Sequence, residues 1–383
     1  MSAAWPARRV VAILALAAVY YAAAKFGLAL AYENSSVTAV WPPTGIALAA
    51  LLLGGYRLWP GVALGAFLAN AWTDVPLLTA LGITVGNTLE AVVGTYLLRR
   101  VADFRPALER VRDVVALAAL AAIASTLISA TIGVASLWLG TNLPGGEVAS
   151  AWRTWWLGDL GGDLIVAPVI LVAATHFPGG LRRPRRPLEA AVLAVTLAGV
   201  SLLAFSQTTP VSYVVFPALV WAGMRFRQVG AVSASLLVAA VAVGFTANGT
   251  GPFMQSSGDE SLLLSQTFVS VAALTALLVA AVTTELARAE RASAIKRRRQ
   301  AMDINDSIVQ GLAVAGYSVT PEDQATRSAI SDTLLNARRL VGQLLDEEGE
   351  EIVLRPGELR RESGVAPTDE QEERHGVRGA PRE

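Results

Sequence analysis

Ten apolar stretches run along the chain, at residues 10–30, 36–55, 58–73, 77–98, 113–140, 155–175, 188–205, 211–224, 229–247 and 262–285. Each has about the length a bilayer requires or falls slightly short of it. Within them the apolar residues are nearly continuous, without the two-residue alternation of a half-buried strand, so they read as membrane helices. The fold class this predicts is all-α: a polytopic transmembrane helical bundle of about ten spans. Eight remain if the weakest segments, 36–55 with its two prolines and the short 58–73 and 211–224, do not all cross.

Composition supports the pattern. The chain has 383 residues, of which 53% are hydrophobic and 16% charged, and its mean hydropathy is +0.48. That is too apolar for an ordinary soluble domain. Lys25 and Lys296 are the only lysines among many arginines, which points to a GC-rich bacterial genome. The absence of cysteine excludes disulfides and thiolate chemistry, and two histidines are too few for a histidine-rich metal centre, so neither cofactor nor metal is expected. Alternate loops carry the arginines: Arg8 and Arg9, Arg57, then Arg99, Arg100, Arg105, Arg110 and Arg112, then Arg182, Arg183, Arg185 and Arg186, then Arg225 and Arg227. The intervening loops hold Glu33, Asp74, Glu147, Asp259 and Glu260, with Arg153 the lone arginine. By the positive-inside rule both termini are cytoplasmic and the protein is a multi-pass component of the plasma membrane.

Polar residues inside the spans are the candidates for function, since an ionisable group there costs about 2.5 kcal/mol or more. Lys25 lies late in the first span, Asn87 and Glu90 in the fourth, and Asp159 and Asp163 in the sixth. The last two are four apart and share a helix face, with Gly158, Gly161 and Gly162 permitting close approach of a neighbour. Pro42 and Pro43 remove two backbone donors inside an apolar segment, a break tolerated only against protein or a polar cavity. The functional reading is an outward-facing polar pocket made of Lys25, Trp41, Pro42, Pro43, Glu90, Asp159 and Asp163, with the helix start at Pro43 offering a positive end. The competing reading is a set of interhelical ion pairs, Lys25 with one of the acids, that fixes packing. Trp152, Trp155 and Trp156 read as part of the interfacial aromatic belt.

The Trp41-Pro42-Pro43-Thr44-Gly45-Ile46 run, Gly55 to Gly61, Gly65 to Asn70, and Asp159 to Pro168 together resemble the first class of membrane-associated sensor (MASE) domains, over roughly residues 10–290. The resemblance implies a bacterial sensory input domain of the kind fused to histidine kinases, diguanylate cyclases and related outputs.

Beyond the spans the chain is basic through Arg288, Arg291, Lys296, Arg297, Arg298 and Arg299, then helical. Ile304, Ile308, Leu312, Ala315 and Val319 recur at helical spacing. Thr320-Pro321-Glu322-Asp323 supplies an N-cap, an N1 proline and early acids for a second helix. Ile330, Leu334, Ala337, Val341 and Leu344 then form a coiled-coil seam. Two such helices predict a dimeric four-helix bundle, as a homodimer or heterodimer, through residues 300–345.

This hairpin, at 291–347, resembles the dimerisation and phosphoacceptor module of histidine kinases, with Asp306, Gln310 and Leu312 at the spacing that follows the acceptor histidine. The acceptor position is Asn305, an amide that cannot take the phosphoryl group. No glycine-rich nucleotide loop follows, and 348–383 reads as a disordered tail. The expectation is therefore a non-catalytic signalling protein with the lipid bilayer and a histidine kinase or response regulator as partners, and no role for nucleic acid. A secondary transporter or permease is the alternative, since broken helices and midplane acids also build transport sites.

Overall fold

The computed structural model describes residues 4–29, 40–73, 75–141, 143–177, 186–207, 211–318 and 323–345. Among these the secondary structure is helical, with no strand. The helices are α1 (Ala4–Ala29), α2 (Pro42–Gly54), α3 (Trp59–Ala71), α4 (Leu77–Val101), α5 (Val111–Gly140), α6 (Gly145–His176), α7 (Pro187–Ser206), α8 (Phe216–Ala247), α9 (Gly258–Ser318) and α10 (Gln324–Leu345). The chain divides into two compact units, Met1–Ala287 and Arg288–Glu383.

Seven helices among the described residues are long and apolar enough to cross a membrane. Two features separate this number from the ten stretches of the hydropathy pattern. Helices α2 and α3 have 13 residues each, about 20 Å of rise against a hydrocarbon core of about 30 Å. Stretches 211–224 and 229–247 run on without a loop as α8, two helices that meet at a sharp break at Arg227, where φ is 53°, and fold back so that a Cβ on Gly230 would meet the carbonyl oxygen of Ala222.

The prolines explain the short helices. Pro42 and Pro43 occupy the first turn of α2, where an N–H would have no helical partner in any case. They start a helix and do not kink one. Trp41 N–H donates to Gly158 O of α6 at 2.9 Å, and Thr44 N–H to Trp41 O at 3.3 Å. At the other end Arg99 Nη2 donates to Leu51 O at 3.3 Å and to Leu52 O at 2.5 Å, placing a cation on the negative end of the helix. A helix too short to span is thus satisfied at both ends by protein groups, as hydrocarbon demands.

Close packing follows from small residues. A Cβ on Gly45 would run into the carbonyl oxygen of Gly162, and a Cβ on Gly162 into that of Trp41, so α2 and α6 cross with backbones touching. On α4, Gly82, Gly86 and Gly94 meet Ser136, Ile132 and Ser125 of α5, and Glu90 falls in the same four-residue register. Two apolar cores result. A small one gathers Leu16, Tyr20, Ala47, Leu51, Val62, Ala66 and Ala91, and a larger one extends from Leu48 through α5 and α6 to Ala281 of α9.

In the second unit α10 starts at Gln324, and its cap is Asp323: the carboxylate accepts from Thr326 N at 3.2 Å and from Thr326 Oγ1 at 2.6 Å. The cap anticipated at Thr320 lies outside the described residues, as do Val319, Pro321, Glu322, Glu33, Asp74, Arg182, Arg183, Arg185 and 346–383. The side chains of Val341 and Leu344 are likewise outside them. The late α9 stripe is rotated from the anticipated one: Ala301 and Asn305 are buried, Ile308 and Leu312 half-buried, and Ile304 is 52% exposed.

Candidate functional site

Helices α1, α2, α4, α5 and α6 converge on a cluster of polar side chains at mid-helix depth. Glu90 lies 13 residues into α4, about 20 Å from its start. Glu90, Asp159 and Asp163 are 2%, 1% and 1% exposed, so all three acids are withdrawn from solvent and lipid alike.

Asp159 is the best satisfied. Thr44 Oγ1, on the first turn of α2, donates to its Oδ1 at 2.8 Å, and Ser129 Oγ of α5 lies 2.9 Å from its Oδ2. Ser129 is the hub. It also reaches Asn87 Oδ1 at 2.8 Å, accepts the Trp155 indole N–H at 3.1 Å, and touches Glu90. Asn87 Nδ2 in turn donates to Tyr20 OH at 3.1 Å, and Trp41 hydrogen-bonds to the same phenol. One hydroxyl proton on Ser129 therefore faces Asn87, Asp159 and Glu90 at once.

That shortage of donors shows in the remaining oxygens. Glu90 Oε1 and Asp163 Oδ1 are buried without a hydrogen-bond partner. Both residues line a narrow recess, too tight for a water-sized sphere, together with Tyr20, Thr44, Ala47, Leu48, Asn87, Ala91 and Ser125. Asp163 sits in a π-helical turn, Gly162–Val166. Pro168 lies just beyond it and lacks the N–H that Leu164 O would accept.

Of the anticipated pocket residues, the structure brings together Trp41, Glu90, Asp159 and Asp163, with Pro42 and Pro43 starting the helix that delivers Thr44. Lys25 goes elsewhere: its Nζ is 3.4 Å from Ala69 O and 5.6 Å from the Tyr21 ring. Among the described residues no salt bridge joins it to an acid. Tyr20 and Ser129 escaped the sequence reading because a tyrosine and a serine in apolar runs carry no signal by themselves. Trp155 was grouped with its neighbours, but only the flanking pair, Trp152 and Trp156, stacks at 5.8 Å.

A second polar knot lies where α4 ends and α5 begins. Asp113, 1% exposed, accepts from Arg110 Nε at 2.8 Å, Arg110 Nη2 at 2.6 Å and Arg105 N at 3.0 Å. This bonding holds the Arg110 guanidinium above its ordinary range. Gln228, just past the break in α8, donates from Nε2 to Leu108 O at 3.1 Å and Thr284 Oγ1 of α9 at 3.2 Å. Glu285 accepts from Val111 N at 3.1 Å, capping α5. Asp103, Leu108 and Arg227, all with φ near 50°, are held in left-handed backbone here.

The family model for MASE1 matches residues 12–287, nearly the whole of the first helical unit. The chain belongs to the MASE1 family. A MASE1 domain and a set of membrane-crossing helices make this a multi-pass membrane signalling protein. A probable diguanylate cyclase, DgcE of Escherichia coli (strain K12), is 27% identical over 224 residues, taking in 57% of this chain. The chain spans 20% of that relative's length. No solved structure matches.

The relative corrects one expectation. A protein without enzymatic activity was inferred from Asn305 and the lack of a kinase nucleotide loop, but those features bear on phosphotransfer alone. The region matched by the MASE1 model is similar to part of a probable diguanylate cyclase, so those features do not establish that the protein is no enzyme. The MASE1 match ends before the hairpin that resembles a kinase module. In that hairpin Asn305 is buried, Asp306 and Gln310 are exposed and Leu312 is half-buried.

Proposed function

We propose that the MASE1 bundle is the input of a plasma-membrane signalling protein with both termini in the cytoplasm, and that the acid cluster around Ser129 is its input site. The observation that carries this reading is the pair of buried carboxylate oxygens, on Glu90 and Asp163, that the fold leaves without partners. A group retained at such cost in a membrane helix serves something other than packing.

The route out follows the chain. Any change at the α2–α6 crossing acts on α5 through Ser129. From there it passes to the knot in which α5 is capped by Glu285 of α9, and α9 continues into the second unit. There, residues 300–345 pair with a second copy and present the hairpin to a histidine kinase or response regulator. The spacing of Asp306, Gln310 and Leu312 favours such a two-component partner. A diguanylate cyclase output is the second reading, favoured by the E. coli relative.

Cross-linking tests the dimer cleanly, because the chain has no cysteine of its own. A single cysteine at Leu334, half-buried on α10, should trap a dimer in native membranes; monomer alone under oxidation contradicts the proposal. Radiolabelled phosphoryl transfer to co-expressed regulators, set beside a diguanylate cyclase assay, separates the two outputs.

A further inference from the structure

We propose that the recess between α1, α2, α4, α5 and α6 is a binding site for a small, hard monovalent cation, with Na⁺ as its ligand. This rests on reading the cluster as the input site and names what that site takes.

The recess carries oxygen and little else that is polar: Tyr20, Thr44, Asn87, Glu90, Ser125 and Asp163. Two of its hydroxyls, on Thr44 and Ser125, direct their protons away from it. Thr44 donates to Asp159 at 2.8 Å and Ser125 to Ala121 O at 2.9 Å, so their lone pairs remain available. Glu90 Oε1 and Asp163 Oδ1 are buried and unpartnered. No lysine, arginine or histidine joins the cluster among the described residues, and Lys25 is engaged with Ala69. Two acids in the lining and a third, Asp159, bonded to Thr44 beside it, have no counter-charge among the described residues, which leaves the site deficient in positive charge.

The chemistry of the lining selects the cation. Oxygen donors suit hard ions. No group of three or more Asp, Glu or His among the described residues converges to hold a metal ion, which removes the dense carboxylate cage that a divalent ion uses. A mixed set of hydroxyl, amide and one or two carboxylate oxygens suits an alkali ion. A recess too tight for water excludes a hydrated one and favours the smaller, dehydrated Na⁺ over K⁺. Binding would draw α4 and α6 together through Glu90 and Asp163, beside the π turn of α6, which gives occupancy a mechanical consequence at the α2–α6 crossing.

The test uses the full-length protein in lipid nanodiscs, with radiolabelled Na⁺ as probe and choline as the inert replacement. Wild type should bind Na⁺ saturably, with Li⁺ competing better than K⁺. E90Q and D163N should each weaken binding about tenfold or more, while E147Q, exposed in the first turn of α6, should bind as wild type does. Should neither cluster variant fold, the wild-type protein decides alone through Na⁺-specific protection against thermal unfolding at constant ionic strength. Absence of saturable Na⁺ binding by wild type overturns the proposal, as does equal binding by folded E90Q and D163N, or protection that follows pH and ignores Na⁺. A wild type that binds no Na⁺ while D163N abolishes signalling removes the cation and keeps the input site. Signalling untouched in D163N removes the site itself.

Discussion

Among the described residues, two buried polar clusters of this bundle treat their acids in opposite ways. Asp113, where α4 gives way to α5, is bonded through both oxygens, to a bidentate arginine and a backbone amide. Glu90 and Asp163, at mid-helix depth, keep buried oxygens with no partner. Both regions cost the same to desolvate in kind, so the difference lies in what compensates the cost. Where the fold supplies the counter-charge, the acid holds a loop in place; where it does not, the counter-charge comes from outside the fold. The contrast also separates stiffness from responsiveness. The knot pins Leu108 and Arg227 in left-handed backbone, whereas the cluster abuts a π turn and a helix crossing without side chains between its backbones.

The largest break in this comparison comes from closing the crossing. Leucine at Gly162 would occupy the space of the Trp41 carbonyl and the Thr44 side chain, displace α2 and scatter the cluster. The expected loss is about 3 kcal/mol or more, seen as failure to recover monodisperse folded protein. Next is the knot. Gln228→Leu leaves Leu108 O buried without a donor and should lower stability by about 2–3 kcal/mol, measured by thermal unfolding in detergent. Within the cluster, Ser129→Ala removes the hydroxyl shared by Asn87, Asp159 and the Trp155 indole and should cost about 1–2 kcal/mol. This sharpens the contrast, because there the neutral hub and not the acids would carry the stability.

The smallest effect lies outside the membrane. Thr326 holds the Asp323 carboxyl below the ordinary carboxylate range, so this cap contributes above about pH 4 and is lost as pH falls through the lowered value. Protection of the Thr326 amide against hydrogen exchange, taken relative to the unstructured rate at the same pH, should fall in acid for wild type and be low at every pH in D323A.

The membrane helices were legible because apolar runs of bilayer length have few other uses, and so was the grouping of Trp41, Glu90, Asp159 and Asp163. The span count was not. Whether α2 crosses depends on where it starts, and Pro42 and Pro43 read equally as a kink or a first turn until Gly158 and Arg99 are seen to serve its ends. Lys25 was misplaced because a lone cation and three acids pair naturally on paper, whereas in space the amine lies at the α1–α3 contact. Ser129 is the instructive omission. Its importance comes wholly from four neighbours on other helices, which no local pattern encodes, although the Gly82, Gly86, Glu90, Gly94 register did mark the α4 face that meets it.

The central claim is that Glu90 and Asp163 are kept for a ligand while Asp113 is kept for the fold. Thermal unfolding of E90Q, D163N and D113N, purified under one buffer without Na⁺, tests it most directly. The account predicts that D113N loses about 2–3 kcal/mol, while E90Q and D163N stay within about 1 kcal/mol of wild type or exceed it. If E90Q and D163N unfold as early as D113N, the cluster is packing and the contrast between the two regions fails.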